Sequence, residues 1–215
     1  RSRRFDRRGA EKIHMHSLAG MTHVDFNRPQ AYSYEAWFRL IMELKLGAQA
    51  LEQAYRRMVF NIVGRNQDDH VKNISFLLDG PTASWRLAPA YDLTFAAGSG
   101  YTLRHQMTAG GLSDGFSIDQ LIDIGNRFDI SRPRDIVTNT IDAFGGWPTL
   151  AREWHMPDAQ IARVATMHRF VSRAQAMPKG KRSARFGLNA QASGTRPRAG
   201  SRHIRGSSRC SQDRK

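Results

Sequence analysis

The chain has 215 residues, 40% of them hydrophobic, with a formal charge of +14 and one cysteine. That length suffices for one domain with a sizeable core. The sequence lacks both the run of about eighteen apolar residues a membrane helix needs and an apolar segment behind its charged N-terminus; Cys210 has no intramolecular partner, so the plain expectation is a cytoplasmic protein without disulfides.

Arg1 to Arg8 holds five arginines, but Phe5 and Asp6 sit inside the run, which argues against a simple nucleic-acid arm. Glu11 to Met21 reads as a short strand turning into a helical stub. His14 and His16 fall on one face of that strand, and with no third ligand nearby they read as structural. Ser33 is a good N-cap for a helix over Tyr34–Leu44, in which Trp37, Leu40, Ile41 and Leu44 share a face. Gly47 breaks it, and a longer helix follows over Ala48–Gly64. The second half of this helix is apolar on two sides, which predicts deep burial.

The chemistry concentrates between Val59 and Asp92. The helix ends in a polar cluster, Asn66 to Asn73. An apolar run, Ile74 to Leu78, leads to the turn signal Asp79-Gly80-Pro81 and a second run closing at Tyr91-Asp92, so a β-hairpin is predicted. Transfer of a γ-phosphoryl group needs a carboxylate to orient the attacking hydroxyl and oxygen ligands to hold Mg²⁺ against the phosphates. Asp68 and Asn73 have the five-residue offset of a kinase base and its metal-binding Asn, and Asp92 beyond the hairpin matches the second metal carboxylate. His70 or Lys72 could supply positive charge. Asp69 reads as a solvated neighbour rather than a second base. A hydrolytic metal site from Asp68, Asp69, His70 and Asp92 is an alternative, but it explains neither Lys72 nor Asn73.

After Asp92, the glycine-bearing stretch Thr94–Gly111 resembles an activation-loop equivalent, expected to be mobile and near a docked protein substrate. Ser117-Ile118-Asp119-Gln120 is a capping box opening a helix over Ile118–Arg127. Ser131 and Pro133 start another, ending at Gly145-Gly146. Trp147-Pro148 begins a short helical piece. Pro157–Ala176 reads as a longer helix with Ile161, Val164, Ala165, His168 and Val171 inward, His168 as a satisfied core histidine.

The motif D-D-H-V-K-N followed by L-A-P-A-Y-D resembles the C-terminal lobe of the HipA-like serine/threonine kinases, toxin kinases of bacterial toxin–antitoxin modules. Asp68, His70, Lys72, Asn73, Pro89, Tyr91 and Asp92 match the family pattern in order, and Arg4-Phe5-Asp6-Arg7 matches its R-F-D-R segment. The resemblance covers about residues 1–177. It implies an α+β, predominantly α fold: a protein-kinase-like C-terminal lobe with a small catalytic hairpin. It implies Asp68 as base with His70 and Lys72 near the γ-phosphate, Asn73 and Asp92 on Mg²⁺, Tyr91 fixing Asp92, and Phe5 and Asp6 beside the adenine and ribose of ATP. It also implies a small helix-turn-helix antitoxin as partner and a protein target such as an aminoacyl-tRNA synthetase. No G-x-G-x-x-G-x-V loop or V-A-I-K-like strand precedes the catalytic segment. An inactive remnant lacking the nucleotide-covering lobe is therefore the second reading.

Residues 178–215 carry eleven Lys/Arg and one acid, Asp213, which is +10 of the total charge. With few large apolar residues, this tail is expected to be disordered. It supports a third reading, a basic nucleic-acid-binding protein, in which deletion of residues 178–215 would abolish DNA or RNA binding.

Overall fold

The computed structural model describes residues 4–80 and 84–171; the basic tail lies outside them. The described residues form an α+β fold in which helices carry most of the core. Three strands stand around the stretch that bears the D-D-H-V-K-N motif: β3 (His14–Ser17), β5 (Ser75–Asp79) and β6 (Ser84–Leu87). They form one antiparallel sheet in the order β3-β5-β6, with His14 opposite Leu78 and Phe76 opposite Leu87. The hairpin expected from Asp79-Gly80-Pro81 is thus present, and the segment before the first helix adds a third strand to it. Upstream, β1 (Arg7–Arg8) and β2 (Glu11–Lys12) make a minimal hairpin turning at Gly9, whose φ of +63° suits glycine. Two residues of β4 (Tyr32–Ser33) pair in parallel with β7 (Met107–Thr108).

The short helix α1 (Leu18–Thr22) follows β3 and is capped by Ser17. Its first two backbone amides donate to Ile74 O and Val71 O at 2.8 and 3.1 Å, so the helix start holds the loop that precedes β5. α2 (Tyr34–Glu43) begins where expected, with the Ser33 hydroxyl accepting from Ala36 N at 3.1 Å. α3 (Ala48–Gly64) is the centre of the core. Ala54, Tyr55, Met58, Val59, Ile62 and Val63 are fully buried, as the two-sided apolar pattern predicted. It packs against α2 and against α5 (Pro133–Gly145). Gly64 permits the second approach: a Cβ there would overlap the ring of Phe144. α4 (Ile118–Arg127) carries the predicted capping box, with Ser117 and Gln120 each satisfying the other's backbone, and the Tyr55 hydroxyl joins it to α3 by donating to Leu121 O at 2.8 Å.

Three expectations need correction. The last helix among the described residues, α7 (Asp158–Met167), follows α6 (Trp147–Glu153) and ends at Met167, short of the span expected to Ala176, whose last five positions lie outside the described residues. Its end coincides with a tertiary contact: the backbone N–H of Arg169 donates to Val63 O at the C-terminal end of α3, at 2.8 Å, and His168 is extended rather than helical. His168 is buried, but its Nδ1 has no hydrogen-bond partner, so it is not the satisfied core histidine expected. Finally, Thr94–Gly111 is not a freely moving loop along its length. After a 3-10 turn at Gly100–Thr102, His105, Gln106 and Met107 are buried and β7 pairs with β4.

Candidate active site

The polar cluster at the end of α3 forms a tight loop. Arg65 leaves the helix in the left-handed region, with φ 58°. Gln67 N donates to Ala96 O at 2.9 Å and Ala96 N to Arg65 O at 3.1 Å, which ties the loop to the segment beyond Asp92. A turn closes its other end, with Asn73 N donating to His70 O at 2.9 Å. The Asn73 side chain crosses the loop: its Nδ2 donates to the backbone carbonyl of Asp68 at 2.9 Å. Using the amide nitrogen in this way leaves the amide oxygen of Asn73 available to a cation.

Asn73 and Asp92 line the same small cavity, about 10 Å³, together with His70, Tyr91, Asn66 and Trp37. That is room for one water-sized or ion-sized group. Asp92 reaches it from a backbone in the left-handed region, φ 55°, which Asp enters more readily than most non-glycine residues. Its carbonyl accepts from Asn66 Nδ2 at 3.1 Å. The cavity walls are polar in an unusual way: Trp37 Nε1, Asn66 Oδ1 and His70 Nδ1 are buried and have no hydrogen-bond partner. Such atoms are rare unless a polar occupant satisfies them. Two protein oxygens with open positions are the donor set that Mg²⁺ takes when phosphates supply the rest. The residues present therefore fit the ion. They do not fit the hydrolytic alternative, since no group of three or more His, Cys, Asp or Glu side chains suited to a metal occurs among the described residues.

The other expected residues lie as follows. The Asp68 side chain is about half exposed at 46%, with Oδ1 at 3.9 Å from His70 Nε2, too long for a hydrogen bond. It does not line the cavity; its link to Asn73 is through the backbone. His70 is on the cavity wall, with its ring edge-on to Phe26 at 5.7 Å. Lys72 is exposed and outside the wall, with its Nζ 3.2 Å above the same Phe26 ring. The Tyr91 hydroxyl donates to Lys72 O at 2.7 Å and lies 2.5 Å from Ser75 Oγ, which fastens the chain before Asp92 to the loop. Burial pushes the Tyr91 pKa up, so it remains a donor. Phe5 packs on Tyr91, ring centroids 5.7 Å apart. Asp6 is held by Arg4 and Arg7 at 2.6 and 2.7 Å, and its hydrogen bond from Arg4 brings its carboxyl down to about 2.

Asp69 is the clear departure from expectation. It is 2% exposed, not solvated. Oδ1 accepts from the Gln106 backbone N–H at 2.7 Å; Oδ2 accepts from the Tyr34 hydroxyl at 2.6 Å and faces His105 Nδ1 at 2.8 Å. The sequence reading also missed Asn61, Asn66 and Trp37 on the cavity wall. Asn61 had a signal, as a polar residue within the apolar run Val59 to Val63 on a face predicted to be buried.

A family model described as HipA-like C-terminal domain matches residues 2–147. No curated protein matches the sequence. Among solved structures, the fold is similar to that of a chain in the toxin–antitoxin complex of HipA, HipB and operator DNA from Shewanella oneidensis MR-1. The TM-score is 0.58 at 18% identity, over 76% of this chain and 45% of that one. At that identity the likeness shows the fold alone, and this chain spans less than half of the solved one.

Proposed function

The chain belongs to the family of HipA-like C-terminal domains, and on that premise we propose that it is the catalytic lobe of an ATP-dependent serine/threonine protein kinase of the HipA toxin type. Asp68 takes the proton of the substrate hydroxyl as that oxygen bonds to the γ-phosphorus and the bond to the bridging oxygen breaks, releasing ADP. A base that meets an external hydroxyl must be reachable, and the half-exposed side chain of Asp68 agrees with that role. The Asn73 amide oxygen and the Asp92 carboxylate would hold Mg²⁺, which would supply positive charge to offset that of the phosphates. His70 and Lys72 lend positive charge near the transferred group, and Phe5 and Asp6 border the adenine and ribose. Tyr91 holds the chain that carries Asp92.

The observation that carries this reading is the meeting of Asn73 and Asp92, from opposite sides of the β5–β6 hairpin, on one polar cavity, with Asn73 also bonded to the Asp68 carbonyl. By family likeness, the partner is a small helix-turn-helix antitoxin, the target a translation protein such as an aminoacyl-tRNA synthetase, and the compartment the cytoplasm. None of the helices among the described residues is long and apolar enough to cross a membrane. The test is transfer of radiolabel from [γ-³²P]ATP to the chain itself or to myelin basic protein. The expected result is Mg²⁺-dependent transfer that falls by roughly 100-fold or more in Asp68→Asn. Transfer that persists in Asp68→Asn would remove Asp68 as the base, and no transfer by the wild-type chain would refute the assignment of activity to it.

A further inference from the structure

The buried carboxylate beside the catalytic Asp is the least expected feature of the site. Asp69 follows Asp68 directly, yet its two oxygens face away from any external hydroxyl and are taken up by Tyr34, His105 and the Gln106 backbone. It therefore cannot act as a second base. Its partners do not end there. The Tyr34 hydroxyl that donates to Asp69 accepts from Asn61 Nδ2 at 2.9 Å. Asn61 Oδ1 accepts from Asn66 Nδ2 at 3.0 Å, and the same Asn66 Nδ2 donates to the backbone carbonyl of Asp92 at 3.1 Å. Burial, and next the charge of Asp69, push the Tyr34 pKa well up, so its hydroxyl keeps its proton and its direction in the chain of bonds.

This hydrogen-bond chain links residues far apart in sequence: α2 supplies Tyr34, α3 supplies Asn61, and the loop supplies Asn66 and Asp69. Buried polar networks of this kind hold one geometry through the bonds their members make, and here only Asn66 Oδ1 and His105 Nε2 lack a protein partner. A metal carboxylate on a left-handed backbone needs such support, because groups outside a ligand set orient those inside it. A second branch runs through the same carboxylate. His105 and Gln106 bring the segment after Asp92 back to the loop, and Gln30 Nε2 seals that contact by donating to His105 O at 2.6 Å.

We infer that Asp69 is a positioning residue: through Tyr34, Asn61 and Asn66 it fixes the loop that bears Asp68 and Asn73 against the main chain of Asp92, and so sets the distance between the base and the cation site. This rests on the reading above and concerns the same site. The test uses Mn²⁺ as the probe, with free Mn²⁺ measured by electron paramagnetic resonance, on Tyr34→Phe, Asp92→Asn and the double variant. Tyr34→Phe removes one oxygen and keeps the ring, and circular dichroism checks that it folds. Its Mn²⁺ affinity should fall by roughly tenfold, as for groups that orient ligands. The double variant should lose little beyond Asp92→Asn alone, because Tyr34 acts through Asp92. Wild-type affinity in Tyr34→Phe, beside a loss in Asp92→Asn, overturns the inference and leaves the site assignment standing.

If Asp92→Asn does not change Mn²⁺ binding, the assignment of the cation site fails instead. Hydrogen exchange then decides on the anchor without any metal. Amides over residues 92–96 should exchange faster in Tyr34→Phe than in the wild type, and equal protection overturns the inference. Should Tyr34→Phe fail to fold, Asn66→Ala cuts the other end of the same chain and is read by the same two measurements.

Discussion

Acidification should weaken this fold through His168, in a pH window set by its surroundings. The ring is 7% exposed and packed among Phe144, Trp147 and Phe95, with centroids at 4.8, 5.8 and 6.2 Å. Burial pulls its pKa from the ordinary 6.5 down to about 4, so the native state holds it neutral while the unfolded chain protonates it first. The sign follows: stability from this group is complete above pH 6.5 and is lost as the pH falls toward 4. Each pH unit across that window is worth about 1.4 kcal/mol, so the loss between pH 7 and pH 4 is about 3 kcal/mol, and about 2 kcal/mol is gone by pH 5. Against a typical total of about 5–15 kcal/mol, that shift is large. The perturbation is His168→Phe, which keeps an aromatic ring and removes the titration. Urea unfolding followed by far-ultraviolet circular dichroism at pH 7, 6 and 5 gives the stabilities. The wild type should lose about 2 kcal/mol more than the variant between pH 7 and pH 5. Equal pH slopes would refute the argument that burial holds this histidine neutral.

Two further outcomes follow from packing and from the loop. Gly64→Ala should lower the urea midpoint, because the new methyl overlaps the Phe144 ring; an overpacking cost of about 1–3 kcal/mol set against the roughly 1 kcal/mol that alanine gains in a helix leaves a net loss of up to about 2 kcal/mol. Tyr91→Phe should cost about 1–2 kcal/mol through the lost bond to Lys72 O and should speed hydrogen exchange over residues 72–75, which amide mass spectrometry reads; unchanged exchange there would detach Tyr91 from the loop.

Local signals in the sequence were read correctly where local physics decides the structure. Ser33 and Ser117 start helices because a hydroxyl satisfies a free backbone amide three residues on, and that needs nothing from the rest of the chain. The hairpin at Asp79-Gly80 was legible for the same reason, and the two-sided apolar pattern of the helix picked out the burial of Met58, Val59, Ile62 and Val63. What depended on distant partners was not. Asp69 looks solvated in a polar loop, and its burial is made tolerable by Tyr34, 35 positions away, His105, 36 away, and Gln106, 37 away. The parallel pairing of Tyr32–Ser33 with Met107–Thr108 involves two residues a side, too few to leave a period in the sequence. The end of α7 coincides with a contact to Val63 O, at the far end of another helix.

In the site, residue identities were legible and their grouping less so. The motif spacing picked out Asn73 and Asp92, which share one cavity, and it also picked out Lys72, which lies over Phe26 away from that cavity. The lining residues Asn61 and Asn66 belong to no motif used in the reading. They matter through hydrogen bonds to Tyr34 and to the Asp92 carbonyl, which a spacing rule does not express.

The most direct measurement is anomalous X-ray scattering from a crystal of the chain equilibrated with Mn²⁺, the ion that replaces Mg²⁺ most closely among those with a usable signal. A peak is expected between the Asn73 amide oxygen and the Asp92 carboxylate, at about 2.0–2.2 Å from each. A peak at other carboxylates with none between these two would contradict it.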